Sequence, residues 1–283
     1  MLPLSKLNEL RRRAIAAWEE NLISTRSEAD FCTANAPISQ KKPQRCLVAR
    51  FANPSQITSR AKAFFDRIEL PLHQFTADAD GVILPPVIFN SDRDRVSRML
   101  AHAASLGATS VSVGNIGHLP LARESGLRIC GDFRLNVTNS KTAAQLEELG
   151  IDEILLSPEL TLPRIRDIKG NTAAVVYGRI PLMTLEKCVI REVAGCKVCD
   201  EGRAVITDRR GVTFPVLREW EHRNVIYNSL PTCMSDREDE LERFGILNRH
   251  FFFTTESPKE VDAVIEAFES HTPLGTTVRR LAR

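Results

Sequence analysis

The sequence contains no uncharged apolar run approaching the ~20 residues needed to cross a bilayer, which excludes a helical membrane span. Its first residues, MLPLSKLNELRRR, meet their charges too early for the apolar segment of a signal peptide, and a cytoplasmic location is expected. Charge of one sign is also lacking: 38 Lys and Arg against 36 Asp and Glu leave +2, which neither demands nor excludes a nucleic-acid partner. Aromatic residues are only 6%, too few for a basic stripe interleaved with stacking platforms. No G-x-G-x-x-G follows the first strand, which argues against a dinucleotide-binding fold. There is no H-E-x-x-H, no Ser-His-Asp order and no convincing carboxylate dyad, so no peptidase mechanism can be read. What is present is ordinary for a globular chain: 283 residues, 43% hydrophobic and 26% charged, enough for a substantial core.

Residues 5–21 read as an amphipathic helix carrying Leu7, Leu10, Ile15 and Trp18 at helical spacing, with Ser5 placed to cap it. A polar stretch without periodicity follows to about residue 44 and reads as a linker. Residues 1–45 are therefore taken as helix plus linker, and 46–283 as one barrel-like domain. Within it, short apolar runs alternate with amphipathic helical segments: CLVARF (46–51), RIEL (67–70), VILP (82–85), TSVSV (109–113), RICGD (128–132), IDEILL (151–156), AAVVYG (173–178) and HFFFT (250–254). Helical patterns occupy Asp92–Leu106, Ser140–Leu149 and Leu160–Ile168, and Ser257 with Glu260 forms a capping box before the last one.

Strand–helix alternation implies a parallel sheet covered by helices, and eight strands suit a (β/α)8 TIM-like barrel. Two crossovers depart from the ideal and allow a distorted or partial barrel: the second is short, and 187–248 is far too long for one helix. That excursion reads as a small cysteine-bearing β insertion after the seventh strand. It contains a hairpin at 206–216 that turns at Arg210-Gly211, with 223–229 as a third strand.

In such a barrel the reactive groups gather at the C-terminal strand ends. Those ends supply Arg50 and Asn53, Gly114 and Asn115, Asp132 with Arg134 and Asn136, Ser157 with Glu159, Gly178 with Arg179, and Thr254 with Glu256. Each alone is an ordinary polar loop residue; their convergence is the argument.

Seven cysteines, an odd number, include three crowded between 188 and 199, which in a reducing compartment reads as metal binding rather than a disulfide frame. Cys196 and Cys199 form a C-x-x-C pair, and Cys188 precedes it by eight residues. A fourth ligand is open between Cys233, which completes an all-thiolate set suited to a four-iron iron–sulfur cluster, and His222, which zinc also accepts.

VVYGRIPLM (175–183), Cys188, GCKVC, DRRGVTFPV and VIYNS together resemble peptidase family U32, the collagenase-like proteins. NIGHLPLA (115–122), GDFRLNVTNS (131–140), LGIDEILLSPEL (149–160) and SKLNELRRRAI (5–15) extend the resemblance over nearly the whole chain. It implies a barrel-like fold, the C-terminal half of a longer architecture and, in several branches, a cysteine-held 4Fe-4S cluster. Those branches hydroxylate without molecular oxygen, some on tRNA, some on ribosomal RNA, others on a ubiquinone precursor, with prephenate as hydroxyl source. The older name rests on collagen degradation.

The resemblance places Cys188, Cys196 and Cys199 among cluster ligands and Tyr177, Gly178 and Arg179 in the strand-end segment beside them. The family's opening segment is missing; Pro181 and His222 stand where many members have cysteines. Arg179 suits a carboxylate or phosphate, Gly178 allows close backbone approach, and Asn136, Asn139 and Ser157 offer hydrogen bonds to a substrate. Glu159 is placed as a general base, although helix N-termini favour acidic residues anyway. Twenty-nine of the 38 basic residues are Arg, clustered at Arg11–Arg13, Arg93/Arg95/Arg98, Arg209–Arg210 and Arg279–Arg280, which suits RNA phosphate. Three readings follow: an iron–sulfur RNA hydroxylase, a peptidase, or a non-catalytic, zinc-stabilised RNA-binding or assembly subunit for a separate N-terminal protein.

Overall fold

Alternation of residue type decides the layering. In β1 (Cys46–Phe51) and β2 (Arg67–Pro71), Ala49, Phe51, Ile68 and Leu70 point one way into an apolar layer, whereas Arg50, Arg67 and Glu69 point the other way. The structure, a computed structural model, describes residues 3–24, 39, 41–200 and 204–275, with only the backbone of residues 23, 24, 199 and 200. Helix α1 (Leu4–Ser24) belongs to a first unit, residues 1–36, and the barrel to a second, residues 37–283. On α1, Leu4, Leu7, Ile15, Trp18 and Leu22 are exposed. Most of the expected linker, residues 25–38 and 40, lies outside the described residues.

The barrel continues through β3 (Gly81–Ile83), β4 (Ser110–Val113), β5 (Arg128–Gly131), β6 (Glu153–Leu155) and β7 (Thr172–Gly178). An excursion then carries β8 (Pro181–Leu185), β9 (Val205–Thr207), β10 (Thr213–Arg218), β11 (Asn224–Tyr227) and β12 (Thr232–Cys233) before β13 (Asn248–Phe253). Strands β1 to β7 pair in parallel in sequence order, and β13 closes the ring between β7 and β1. The result is a closed barrel of eight parallel strands, a TIM-like fold, with each expected strand found within about two residues.

Helices α2 (Ser59–Phe64), α3 (Arg93–Ser105), α4 (Leu119–Glu124), α5 (Ser140–Glu148), α6 (Leu162–Asp167), α9 (Glu238–Arg243) and α10 (Pro258–Ser270) cover its outside; α7 (Val189–Ala194) and α8 (Cys196–Asp200) belong to the excursion. The second crossover has no helix, only a turn at Leu72–Gln74. Helix α10 starts on the expected capping box, Ser257 receiving the Glu260 N–H and Glu260 receiving the Ser257 N–H. Its inner face packs Phe268 against Phe251 at 4.6 Å between ring centroids, a burial of about 1.5–3 kcal/mol per side chain.

The lumen departs from the branched aliphatic filling usual in such barrels. Arg67 on β2 reaches Glu153 on β6, four strands away, at 2.5 and 3.1 Å, and Glu69 at 3.0 Å. Arg50 binds Glu69 at 2.8 Å, Ser112 at 3.0 Å, and Asp132. His250 meets Glu153 at 3.1 Å. A continuous chain of charge thus threads the interior from Asp132 at the mouth to Glu153 near the base. Burial alone would raise the Glu69 and Glu153 carboxyls; Arg50 and Arg67 reverse this for Glu69, and hydrogen bonds from His250 and Arg67 reverse it for Glu153, so both are held below the usual carboxylate range.

The excursion forms a four-stranded antiparallel sheet in the order β8-β11-β10-β9. It begins at Pro181, six residues earlier than expected, because β8 follows β7 almost directly and pairs with β11. The expected hairpin and third strand are β9, β10 and β11.

Candidate functional site

The C-terminal strand ends carry Arg50, Asp132, Arg134, Phe252 and Thr254 to one mouth, and the turn between β10 and β11 folds over them. Buried Arg223, on that turn, ties the insertion down: it donates to the Val87 carbonyl at 2.7 Å and to Glu186 at 2.5 Å, and stacks over Phe89. Glu221 pairs with Arg95 of α3, whose guanidinium lies over Trp220. Between turn and strand ends is a cavity of about 110 Å3. Phe133, Phe252, Leu84 and Pro85 supply apolar walls; Glu219, Trp220, Tyr227 and Arg134 supply polar edges.

The electrostatics of this cavity are those of a desolvated site. Arg134 bridges Asp132 at 3.5 Å and Glu219 at 3.4 Å. Burial raises the Glu219 carboxyl above its ordinary range despite Arg134, and nearby Asp132 adds to the rise. Tyr227 is pushed up to about 12, chiefly by burial. Three buried polar atoms of cavity-lining residues have no hydrogen-bond partner: Arg50 Nε, which is ion-paired with Glu69, and Glu219 Oε2 and Trp220 Nε1.

Of the strand-end residues picked out in the sequence, Arg50, Arg134 and Thr254 line this cavity. The residues expected to carry chemistry do not. Asn139 caps α5, accepting the Thr142 N–H at 2.9 Å, and Asn136 is an exposed left-handed residue closing the 133–135 turn. Ser157 is buried and accepts the Glu159 N–H at 3.4 Å; Glu159 is exposed. Tyr177 faces the outer layer, because a bulge sets Val176 and Tyr177 against one step of β13. Its hydroxyl donates to Glu256 at 3.1 Å, and Arg179 donates to the same oxygen at 2.7 Å, so Arg179 is already paired with a carboxylate of its own chain. Gly178 allows close approach, but of β13 rather than of a ligand.

The cysteines divide into two places. Cys188 caps α7, its sulfur accepting the Arg191 N–H at 3.4 Å, and packs with Ile190 and Val216. Val198 of α8 packs on the same cluster, and α8 carries Cys196, exposed, and the Cys199 backbone. The Cys199 side chain lies outside the described residues, as do Arg279 and Arg280. Cys233 sits in the barrel's outer core opposite Tyr177, 3.2 Å from Ser235 Oγ, and His222 is exposed on the mouth turn. Among the described residues, no three His, Cys, Asp or Glu side chains stand together as a metal site. The α7–α8 segment carries Cys188, Cys196 and Cys199 together with Glu192 and Asp200, while Cys233 and His222 lie on other elements. Cys46 and Cys130 are pushed up by burial, to about 11 and about 12, and are inert thiols.

Glu219 and Trp220 had no signal in the sequence beyond lying between two strand-like runs.

No helix among the described residues is long and apolar enough to cross a membrane. An uncharacterised protease of Methanocaldococcus jannaschii is 36% identical over 85 residues, 30% of this chain, and the match spans only 21% of that protein's length. Among solved structures, a U32 peptidase aligns over 80% of this chain and 99% of its own, at 12% identity and a TM-score of 0.32. The Bacillus megaterium spore cortex-lytic enzyme SleL aligns over 86% and 77%, at 9% identity and a TM-score of 0.37. The family model described as peptidase family U32 matches residues 81–262, from β3 through the insertion to α10 and well over half of the sequence, and the chain therefore belongs to that family.

Proposed function

We propose that the chain is an enzyme of the iron–sulfur hydroxylase type acting at the barrel mouth, with RNA as substrate and prephenate as hydroxyl donor. The observation that carries this reading is the pairing of a mouth cavity with three cysteines, Cys188, Cys196 and Cys199, on the insertion that roofs it. Cys188, Cys196 and Cys199 would hold a 4Fe-4S cluster, which supplies one-electron transfer when bound. The chain's own residues do the rest: Phe133 and Phe252 exclude water from a ring, and Arg134, which bridges Asp132 and Glu219, lends positive charge to the cavity edge. Arg98 and His102 of α3 line a second pocket of about 290 Å3 that adjoins the mouth at His73, which suits backbone phosphate.

Anaerobic iron and acid-labile sulfide analysis tests this reading. Wild type is expected to carry both, Cys196→Ser to lose them, and Cys233→Ser and His222→Ala to keep them. Stoichiometric zinc without sulfide in wild type would instead favour the non-catalytic, zinc-stabilised subunit.

The peptidase reading rests on the names of relatives. No serine or cysteine lines the mouth cavity among the described residues. Gelatin cleavage that survives rigorous purification and disappears with a single cavity substitution would establish it.

A further inference from the structure

We propose that Glu219 and Trp220 form a pair of hydrogen-bond donors that grips an oxygen acceptor on a ring-bearing ligand in the mouth cavity. The inference rests on that cavity being the ligand site, but on no metal and no particular reaction.

The two residues are adjacent on the β10–β11 turn and both line the cavity. Trp220 is 1% exposed, and its indole nitrogen is a donor only, buried without a partner. Leaving such a group unmatched costs about 1–3 kcal/mol, which a ligand acceptor would recover. Glu219 presents one oxygen to Arg134 and leaves Oε2 buried and unmatched. For that oxygen to donate, it must carry a proton.

The surroundings supply the reason for one. Asp132 faces Glu219 from the end of β5 and disfavours a second negative charge, while Arg134 from the same turn and Arg223 on the mouth turn oppose this. Tyr227 of β11 is neutral beside it, and Arg50, His73 and Arg218 line the same cavity. Asp132 is itself held ionised: burial opposes this, but Arg50 and Arg134 outweigh it. Two carboxyls sharing Arg134 are thereby pushed apart, Asp132 toward the charged form and Glu219 toward the neutral one, a division of labour that marks acid–base and electrophilic sites. An unpartnered indole N–H and an unpartnered carboxyl oxygen on adjacent cavity-lining residues, with Arg134 on the other carboxyl oxygen, favour an oxygen bearing negative charge. Walls of Phe133, Phe252, Leu84 and Pro85 favour a single ring on its faces.

The chain has two tryptophans, so Trp18→Phe leaves Trp220 as the sole indole and its fluorescence reports the cavity directly. Titrated with benzoate at about pH 6, where the probe is ionised, this protein is expected to show a saturable change. Glu219→Ala should weaken the affinity at least tenfold, while Glu219→Gln, which keeps a neutral donor, should stay within about threefold. A proton on Glu219 favours the bound state, so affinity should fall as pH rises through that carboxyl's titration. An infrared difference spectrum of wild type against Glu219→Gln should show a protonated-carboxyl band that persists to higher pH than an ordinary glutamate allows.

Benzoate binding indifferent to Glu219→Ala, affinity that grows with pH, or absence of the protonated-carboxyl band would each overturn the proposal. No response of wild type to benzoate would overturn the ligand class. None of these readouts involves iron, sulfide or turnover, so the hydroxylase reading can fail while the donor pair stands, and the reverse.

Discussion

Arg67→Met is expected to cost about 3–5 kcal/mol of folding stability, read as a lower urea midpoint at unchanged slope. Arg67 is 6% exposed and joins Glu69 to Glu153 across the lumen, so its removal leaves two buried carboxylates short of a counter-charge. The penalty comes from that uncompensated charge rather than from the value of the pair itself. Lys62→Met, which breaks the exposed ion pair with Asp78, serves as control and should change stability by less than about 1 kcal/mol. Equal effects of the two substitutions would mean that the lumen charges are hydrated and the interior is not the closed network described.

The same network sets the acid response. Glu69, Glu153 and Asp132 are all held below their ordinary range, each against the opposing effect of burial, so their contribution is complete above the unfolded carboxylate value of about 4. It is lost as pH falls through the folded values. His250 adds an earlier step: burial lowers it below an ordinary histidine, so the unfolded chain takes up that proton first, and stability begins to decline below about 6.5. In Arg67→Met the stranded carboxylates protonate more readily, and the gap between variant and wild type should narrow as pH drops. Urea titrations at a series of pH values give this directly; a gap that widens on acidification would contradict the charge assignment.

The barrel was legible because its outward strand faces are apolar and regularly spaced: CLVARF, RICGD and HFFFT all announce strands by composition. The polarity of its lumen was written in the same letters. Arg67-Ile68-Glu69-Leu70 alternates as a half-solvated strand would, and only closure of the ring turns the polar face into an interior. The mouth was legible where strands end, at Arg50 and Arg134. It was not legible at Glu219 and Trp220, which reach it from an antiparallel insertion whose position over the barrel depends on Arg223 and Glu221 contacts remote in sequence. Asn139 reads as a substrate ligand because a cap and a ligand use the same residue types; in the structure it caps α5 through the Thr142 N–H and is not among the cavity-lining residues. Tyr177 turns away from the mouth for a different reason. A single extra residue in β7 reverses the side-chain alternation, and nothing in VVYGR marks where that residue falls.

That bulge ends at Gly178, where the second large effect is expected. Gly178 has φ +122°, and a Cβ built there would lie 2.3 Å from the Phe252 carbonyl oxygen and 2.6 Å from the Phe252 Cβ. The neighbour cannot yield cheaply, since Phe252 is part of the parallel pairing with β7 and β12 holds the opposite edge at Thr232. Gly178→Ala therefore combines an unfavourable dihedral with a backbone collision, each of about 1–3 kcal/mol, and is expected to cost about 2–6 kcal/mol in all. Gly107→Ala separates the two contributions: φ is +101°, but nothing lies within 4 Å of the added methyl, so only the dihedral cost remains. Thermal unfolding of both variants should place Gly178→Ala well below Gly107→Ala. Matching midpoints would mean that β7 and β13 are not in the register that closes the barrel and turns Tyr177 and Arg179 toward Glu256 instead of the mouth.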